Sequence, residues 1–268
     1  MTNTCNFFRF VSCDTWKRIK LARRGGFKIY ETTVTQNILY YFYLFRLRNS
    51  SNIQLFESTD EKTNGNDLEI IINTSSGYIK LPTQAKIIYS NGKYSALKHK
   101  NQIHDLITYA ALPTVKGIPL YIFYNYYDSG FNFPSSLCNL AVKKEDYGCT
   151  FCNAFTLKNN FATVGVDADG YQNWVIPTFT DLHPQYCDPF WRIVCCHSST
   201  DDINNLKGIL KVGDLKLDIS TYTLDQLNKE RFWRPLNMDD NDNKSKNLDR
   251  SNESGEIGFN PRFRIRVD

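Results

Sequence analysis

The chain has 268 residues, of which 41% are hydrophobic and 14% aromatic, so it can bury a substantial core and is not a disordered protein. Its formal net charge of +4 at pH 7 is a mild basic excess, compatible with a polyanionic partner. The most apolar early stretch, residues 38–47, is too short to cross a bilayer, and no basic segment leads into an apolar run with a cleavage site. We therefore expect a cytoplasmic protein without membrane association.

The eight cysteines are interpreted as reduced thiols, which are usual in the cytosol. They stand at positions 5, 13, 138, 149, 152, 187, 195 and 196. A structural Zn²⁺ site is the alternative, because a Cys-x-x-Cys pair with later ligands can hold zinc tetrahedrally. Its ligands would come from Cys149, Cys152, Cys187, Cys195, Cys196 and His197. The lack of a second Cys-x-x-Cys pair in the sequence favours buried free cysteines instead.

Two helices are predicted before the first strand. Asp14 is a candidate N-cap for the first, which the pair Gly25-Gly26 ends. The second begins at Thr32 or Thr33 and runs to about Arg48, since apolar residues at positions 38, 39, 42 and 45 recur on one helical face.

A strand region follows, then a helix and a buried strand. Strands are predicted at Ile53–Phe56, Asp67–Asn73, Tyr78–Leu81 and Gln84–Tyr89, a helix at residues 101–111, and a strand at residues 117–124. Pro82 predicts a bulge or an edge position, because it cannot donate to a ladder. This order of helix, hairpin strands, helix and strand predicts an α/β fold with a mixed sheet.

Beyond Tyr126 the apolar pattern loosens, and we divide the chain into three parts. Residues 1–130 form an α/β core with a basic N-terminal helix, residues 131–237 a C-terminal elaboration packed on that core, and residues 238–268 a flexible linker with a terminal strand. The elements predicted after Tyr126 are strands at Phe161–Val166, Trp191–Cys196 and Phe263–Val267 and a helix at Leu224–Arg231.

Side chains suited to chemistry are concentrated in the predicted hairpin. Asp67 and Glu69 share one face of their strand, because successive side chains alternate. Gln84 and Lys86 share a face of the next strand for the same reason. The Asp67 carboxylate, the Gln84 amide oxygen and the Ala85 carbonyl are hard oxygen ligands suited to Mg²⁺, and Lys86 would orient a water or neutralise a phosphate. The alternative is a cross-strand ion pair between Asp67 and Lys86.

The segment from Asn64-Gly65-Asn66-Asp67 through a hairpin to Gln84-Ala85-Lys86 resembles the core of the PD-(D/E)XK nuclease superfamily. It is most similar to the Mrr-like branch of type IV restriction endonucleases, which has Gln in place of the second acid. The resemblance covers roughly residues 31–124. It implies a restriction-endonuclease-like α/β fold, with Asp67 and Gln84 as metal ligands and Lys86 as the catalytic lysine. Gln84 departs from the acid of the majority pattern.

The resemblance also implies a function. It implies an endonuclease that hydrolyses phosphodiester bonds with Mg²⁺ or Mn²⁺, with DNA as its substrate and bacterial antiviral defence as its role. Nucleic acid is then the main partner, and a homodimer or a defence-system protein would be a further one. The alternative, from another class, is a catalytically inactive module that binds nucleic acid or protein on the same fold.

The superfamily places a further glutamate on the helix before the first core strand. Glu31 is the candidate here, and Glu57 is its rival. Glu69 is an additional acid on the Asp67 face. The helix that follows the hairpin carries Gln102, a candidate contact to the substrate.

The densest positive segment of the sequence lies near its N-terminus. It comprises Lys17, Arg18, Lys20, Arg23, Arg24 and Lys28. These residues are candidates for contacts to nucleic-acid phosphates, and a solvated helix face is the alternative. Arg262, Arg264 and Arg266 alternate along the terminal strand, where we expect them to touch nucleic acid or to protect a sheet edge.

Overall fold

A computed structural model describes residues 3–49, 53–58, 68–98, 101–166, 171–213, 217–230, 233–236 and 263–268. Its α-helices are α1 (Asn3–Arg24), α2 (Glu31–Asn49), α3 (Gln102–Ala110), α4 (Ala154–Phe161), α5 (Phe179–Leu182), α6 (Arg192–Cys195), α7 (Ile203–Ile209) and α8 (Leu224–Asn228), and 3₁₀-helices occur at Ser95–Lys98 and Lys144–Gly148. Its strands are β1 (Ile53–Ser58), β2 (Leu68–Thr74), β3 (Gly77–Ile87), β4 (Leu120–Tyr124), β5 (Ser136–Leu137), β6 (Leu140–Ala141), β7 (Cys149–Asn153), β8 (Ala162–Val166), β9 (Gln172–Trp174), β10 (Asp188–Pro189), β11 (Trp233–Pro235) and β12 (Phe263–Val267). In this part of the chain no helix is both long and apolar enough to cross a membrane.

One mixed sheet organises the fold, with the strand order β10–β7–β4–β3–β2–β12–β1–β11. β3 pairs antiparallel with β2 and parallel with β4. β12 pairs parallel with β2 and antiparallel with β1. The strands β5–β6 and β8–β9 form separate hairpins. The predicted α/β class with a mixed sheet is confirmed, and strands from all three predicted parts of the chain share this one sheet.

Different helices cover the two faces of the sheet. Tyr124 of β4 and Cys149 of β7 are paired neighbours. The Tyr124 hydroxyl lies 2.9 Å from that of Thr35 in α2, and the Cys149 thiol lies 3.2 Å from the hydroxyl of Thr15 in α1. α1 and α2 therefore cover this face. Lys86 of β3 points to the opposite face, under α3, because it pairs with the residue before Tyr124.

A network of buried charges joins β12, β2 and β3 on the α3 side. Arg264 Nη2 of β12 lies 2.7 Å from Glu69 Oε2 of β2 and 2.6 Å from Glu230 Oε2. Lys80 of β3 donates to the other oxygen of Glu230 at 2.6 Å. The ring of Trp233 covers the Arg264 guanidinium, whose carbon lies 4.2 Å from the ring centroid. The terminal strand is thus locked into the sheet by side chains as well as by its ladders.

Both roles predicted for the terminal arginines are wrong for the two that the structure describes. Arg264 and Arg266 do share a face of β12, but both are buried. β12 also has a neighbouring strand on each side, so it forms no edge to protect. Arg262 and the predicted linker over residues 238–255 lie outside the described residues.

Pro82 lies inside β3, so its predicted bulge or edge position is wrong. The Tyr78 N–H donates to the Tyr222 carbonyl at 2.8 Å, and the Lys80 carbonyl accepts from Ile118 at 3.0 Å. The N–H of Tyr78 and the carbonyl of Lys80 therefore point away from β2. Backbone groups of alternate residues point to the same side, so the nitrogen of Pro82 also points away from β2. Its missing N–H therefore removes no hydrogen bond from the β2 ladder.

Two further element predictions are wrong. α1 begins at Asn3, not at Asp14, because buried positions such as Phe8 and Val11 continue its apolar face towards the N-terminus. The predicted strand at Trp191–Cys196 contains α6 instead, a case where a short apolar run does not distinguish strand from helix. The strands predicted separately at Tyr78–Leu81 and Gln84–Tyr89 are one strand, β3. The other predicted elements are confirmed to within a few residues, namely α2, β1, β2, α3, β4, β8, α8 and β12.

The expectation that all cysteines are reduced is wrong. Disulfides join Cys5 to Cys195 and Cys138 to Cys196. Two adjacent cysteines at the end of α6 thereby attach it to α1 and to the β5–β6 hairpin. The free thiols are those of Cys13, Cys149, Cys152 and Cys187. The partners are 190 and 58 residues apart, and sequence alone does not reveal such connectivity.

A buried histidine lies in a closed hydrogen-bond network near β7. His183 Nδ1 lies 2.8 Å from the Phe179 carbonyl, so this nitrogen carries the proton. Its Nε2 lies 2.8 Å from Thr150 Oγ1, which accepts from Asn125 Nδ2 at 3.0 Å and therefore donates to the ring. Burial lowers the pKa of His183 to about 3, because the charged ring would lose its hydration.

The network predicts a specific loss of stability in acid. The unfolded chain binds a proton at His183 below pH 6.5, whereas the folded chain does so only near pH 3, so this contribution to stability is lost as pH falls through that window. Between pH 7 and pH 5 the wild type should lose about 2 kcal/mol more than the His183→Gln variant. Urea unfolding at several pH values measures the difference. Parallel curves for the two proteins would contradict the assignment of a neutral His183.

Removing Arg264 should destabilise the fold strongly. Arg264→Met leaves the Glu69 and Glu230 carboxylates without their shared partner, which should lower the free energy of unfolding by about 3–5 kcal/mol. Lys116→Ala, which breaks a more exposed pair with Asp218, is the control and should cost about 1 kcal/mol or less. Urea denaturation measures both, and equal small losses would show that the buried network contributes little.

Candidate functional site

The candidate site is built on the second half of β3. Leu68 is the first described residue of β2, and it pairs with Thr83. Gln84 and Lys86 come directly after this pairing and lie opposite residues of β4 on the other side. Asp67, which precedes Leu68 in the sequence, lies outside the described residues.

Lys86 is a buried cation held by a neutral group. Gln84 and Lys86 share the face under α3, and the Lys86 residue is only 4% exposed. Its Nζ donates to Gln102 Oε1 at 2.7 Å. No carboxylate among the described residues forms an ion pair with it. Ala85 points into the core on the other face. A buried ammonium without a matched carboxylate is costly, and an anionic ligand would offset that cost.

α3 places Gln102 over Lys86 because the helix is anchored by its apolar side. Ile103, Leu106 and Ala110 are buried against the sheet, and Gln102 is the first residue of the helix. Its amide therefore lies where the helix begins, above the end of β3. The structure thus brings together Gln84, Lys86 and Gln102.

Asp105 is an acid near this site that the sequence reasoning missed. It stands three residues after Gln102, a spacing that makes the two neighbours on the helix surface. Burial raises the pKa of Asp105 above its usual range, and the nearby His104 opposes that shift. The i, i+3 spacing from Gln102 was the available signal.

The other candidate acids are not gathered at Lys86. Glu31 begins α2 on the opposite face of the sheet, where its charge adds to burial in raising the pKa of Tyr124. The side chain of Glu57 lies outside the described part, and its strand β1 is separated from β3 by β12 and β2, roughly 14 Å at the usual strand spacing. Glu69 shares the face of Gln84, but Arg264 binds its carboxylate.

The predicted basic segment divides into structural and exposed residues. Arg18 pairs with Asp14 and with the hydroxyl of Tyr41. Arg23 donates to backbone carbonyls at the ends of β3 and β4, and burial lowers its pKa. Lys20 is half-buried, and Lys17 and Arg24 are exposed. The exposed members remain candidates for phosphate contacts.

The cysteines and His197 do not form one metal site in the described part of the chain. Cys195 and Cys196 are consumed by disulfides, and the imidazole of His197 lies 3.0 Å from the Asn73 carbonyl. Across the described residues there is no group of three or more His, Cys, Asp or Glu side chains placed to hold a metal ion.

A small cavity lies beside the start of α3. Its volume is about 150 Å³. It is lined by Asn101, Ile103, His104, Lys158, Val166 and Gln172. Two of these residues, Asn101 and Ile103, flank Gln102 in the sequence, and Lys158 places a cation in the lining.

Comparison with known proteins gives one finding. A family described as Family of unknown function (DUF6615) matches residues 4–252, which is most of the chain. No curated protein and no solved structure matches it.

Two lysines on one face of β3 should respond differently to replacement. Lys86→Met should leave the melting temperature unchanged or raise it, because an apolar side chain removes the cost of a buried ammonium. Lys80→Met leaves Glu230 with one partner fewer and should lower the free energy of unfolding by about 1–3 kcal/mol. Thermal and urea unfolding compare the two. Equal destabilisation by both would show that Lys86 serves only the fold.

Proposed function

We propose that this chain, which belongs to the family of unknown function DUF6615, is a Mg²⁺-dependent endonuclease that hydrolyses phosphodiester bonds in DNA. One observation carries the proposal. Lys86 is buried beside Gln84 at the end of a hairpin strand and is held by the amide of Gln102, an arrangement that prepares a positive charge for an anionic substrate.

In this proposal Lys86 supplies a positive charge and hydrogen-bond donors of fixed orientation. An ammonium group has three N–H donors, and Gln102 accepts one of them at 2.7 Å. In the proposed reaction, a second N–H of Lys86 donates a hydrogen bond either to a non-bridging oxygen of the scissile phosphate or to the attacking water. Because the group is almost fully buried, its field is less screened than at the surface. Gln102 is a positioning residue, which fixes the lysine rotamer.

The oxygen donors near Lys86 fit Mg²⁺ or Mn²⁺. Mg²⁺ prefers hard oxygen ligands and is bound by one or two carboxylates while it keeps several waters. The proposed ligands are the Asp67 carboxylate, the Gln84 amide oxygen and the Ala85 carbonyl. When bound, the metal would neutralise charge on the phosphate and lower the pKa of a bound water. Asp105 is a further acid near the site, one helical turn after Gln102.

The broader biological assignments rest on the resemblance to PD-(D/E)XK nucleases. From it we propose DNA as the substrate and bacterial antiviral defence as the role. The cytoplasm is the proposed location on the sequence pattern alone, and the two disulfides are unusual for that compartment. A second copy of the chain or a defence-system protein is the proposed partner.

A catalytically inactive nucleic-acid-binding module is the second candidate. It is favoured by the acid pattern, because Gln84 is neutral and the Glu69 carboxylate is bound by Arg264. Fewer acids are then left for a metal than in the majority of the superfamily.

Cleavage assays with matched variants test the proposal. Plasmid DNA and RNA are incubated with the protein and Mg²⁺ or Mn²⁺, and EDTA should abolish cleavage. Asp67→Asn and Lys86→Met should each lower the rate by about a hundredfold or more, with the unfolding transition retained. Lys93→Ala, at an exposed turn, is the control and should cleave like the wild type.

Cleavage that survives both site variants would overturn the site. If the protein binds nucleic acid but cleaves no DNA or RNA with either metal, the inactive module is the correct function. A rate for Gln102→Ala between those of the wild type and Lys86→Met would support its positioning role.

A further inference from the structure

The connection between α1 and α2 forms a corner with an unusual surface. Its defining residues are Leu21, Arg24, Phe27, Lys28, Tyr30 and Tyr89, all exposed. Phe27 is 74% exposed and Tyr30 is 56% exposed. Single exposed apolar residues need no explanation, but here several large ones stand together among cations. We refer to this set as the α1–α2 corner.

The backbone holds Phe27 in this exposed position. The N–H of Phe27 donates to the Ala22 carbonyl at 2.8 Å, and Gly26 donates to the Arg23 carbonyl. Gly26 has φ of +73°, so α1 ends in a Schellman motif. The residue after such a motif commonly contacts the last full turn of its helix. The Phe27 ring instead lies over Gly25, so close that a Cβ atom added to Gly25 would be 2.7 Å from the ring. The ring is therefore displayed by an ordered turn.

The corner is fastened to the end of β3. Arg23 donates to the carbonyls of Ile88 and Tyr89 at 2.9 and 2.8 Å and to that of Tyr126 at 3.0 Å. This guanidinium joins the end of α1 to the backbone of Ile88 and Tyr89. Tyr89 is three residues after Lys86, about 10 Å along an extended chain. The corner and the candidate site thus share one end of the sheet.

The charge of the corner selects a polyanion. Residues 15–30 contain six basic residues and no acidic one. Lys28 Nζ lies 4.9 Å from the centroid of the Tyr30 ring, so a cation stands beside an aromatic face. The nearby acid Asp128 accepts from the Tyr126 hydroxyl, and Glu31 begins the next helix.

We propose that the α1–α2 corner binds unpaired nucleic acid, with Phe27 and Tyr30 stacking on bases and Arg24 and Lys28 contacting phosphates. Exposed rings stack on bases whose faces are open, and a duplex keeps those faces covered. The basic helix alone contacts the phosphates of either form and gives no preference for single strands, so such a preference must come from the rings. The inference deepens the proposed function, because it names the unpaired region of a substrate whose backbone would pass Lys86.

Binding without cleavage tests the corner. Full-length protein in EDTA is titrated into a fluorescein-labelled 20-nucleotide single-stranded DNA, the RNA of the same sequence, and the DNA duplex, with anisotropy as the readout. The double variant F27A/Y30A should weaken single-strand binding by about tenfold or more and duplex binding by less than about twofold. Tyr40→Ala is the matched control, because Tyr40 lies on α2 and is 50% exposed. Phe27→Trp with Tyr30→Phe should restore affinity.

The salt dependence of binding distinguishes phosphate contacts from ring stacking. Lys28→Ala should reduce the slope of log affinity against log salt by about 0.7 on single strands, and F27A/Y30A should leave the slope unchanged. The DNA and RNA arms identify the sugar that the corner accepts. Equal losses on single strand and duplex, or no loss in the double variant, would overturn the inference. Loss of binding to anionic lipid vesicles, with single-strand affinity intact, would assign the corner to membranes instead.

Failure of this inference is distinguishable from failure of the proposed function. Lys86→Met should lose cleavage and keep the preference for single strand over duplex, since Phe27 and Tyr30 are unchanged in it. F27A/Y30A should raise the KM for cleavage and leave kcat unchanged. Preferential binding of single strands without any cleavage would support the α1–α2 corner and reject the nuclease. Cleavage that F27A/Y30A does not change would support the nuclease and reject the corner.

Discussion

The buried ion pair between Glu69 and Arg264 is the constraint on which the rest of the sheet depends. Two charges removed from water must be matched closely or the fold loses several kcal/mol, and the 2.7 Å contact does this at the centre of the sheet. It fixes β12, from the far end of the chain, between β1 and β2. β1 is thereby moved away from β3, which explains why Glu57 cannot serve a site on β3 even though it is close in sequence.

Two buried lysines on the same face of β3 have different kinds of partner. Lys80 has a carboxylate partner, a carbonyl acceptor at 2.9 Å and the ring of Tyr222, so its charge is satisfied within the protein. Lys86 has an amide partner from Gln102. A fold gains nothing from the second arrangement that an apolar side chain would not supply. Among the described residues, the two lysines on this strand therefore differ in their partners, and this difference is the reason Lys86 is the lysine of the proposed site.

Local pattern was sufficient for most of the core and insufficient for the long-range pairings. The apolar period of α2 and the Ile-rich run of β2 are encoded within each segment, and so are the shared face of Gln84 and Lys86 and the packing of α3. The position of β12, the two disulfides and the partner of Glu69 depend on residues up to 195 apart, which no local period contains. Pro82 was misplaced because the direction of its backbone nitrogen follows from pairings with β2 and with the segment before β4. Asp67, the residue on which the metal assignment rests most, lies outside the described residues.

The location of the site and of the corner follows from sheet topology, independently of any family resemblance. β3 and β4 are parallel, so their carboxyl ends coincide at one end of the sheet, and in open α/β sheets that end is where ligands bind. Lys86 faces α3 there, while Arg23 fastens the aromatic α1–α2 corner to the carbonyls on the other side. A chain of nucleotides is long enough to contact both faces around a strand end, whereas a small ligand would reach only one. Under the proposed function, one buried ammonium and one proposed stacking surface at a single sheet end fit an extended polyanion better than a compact substrate.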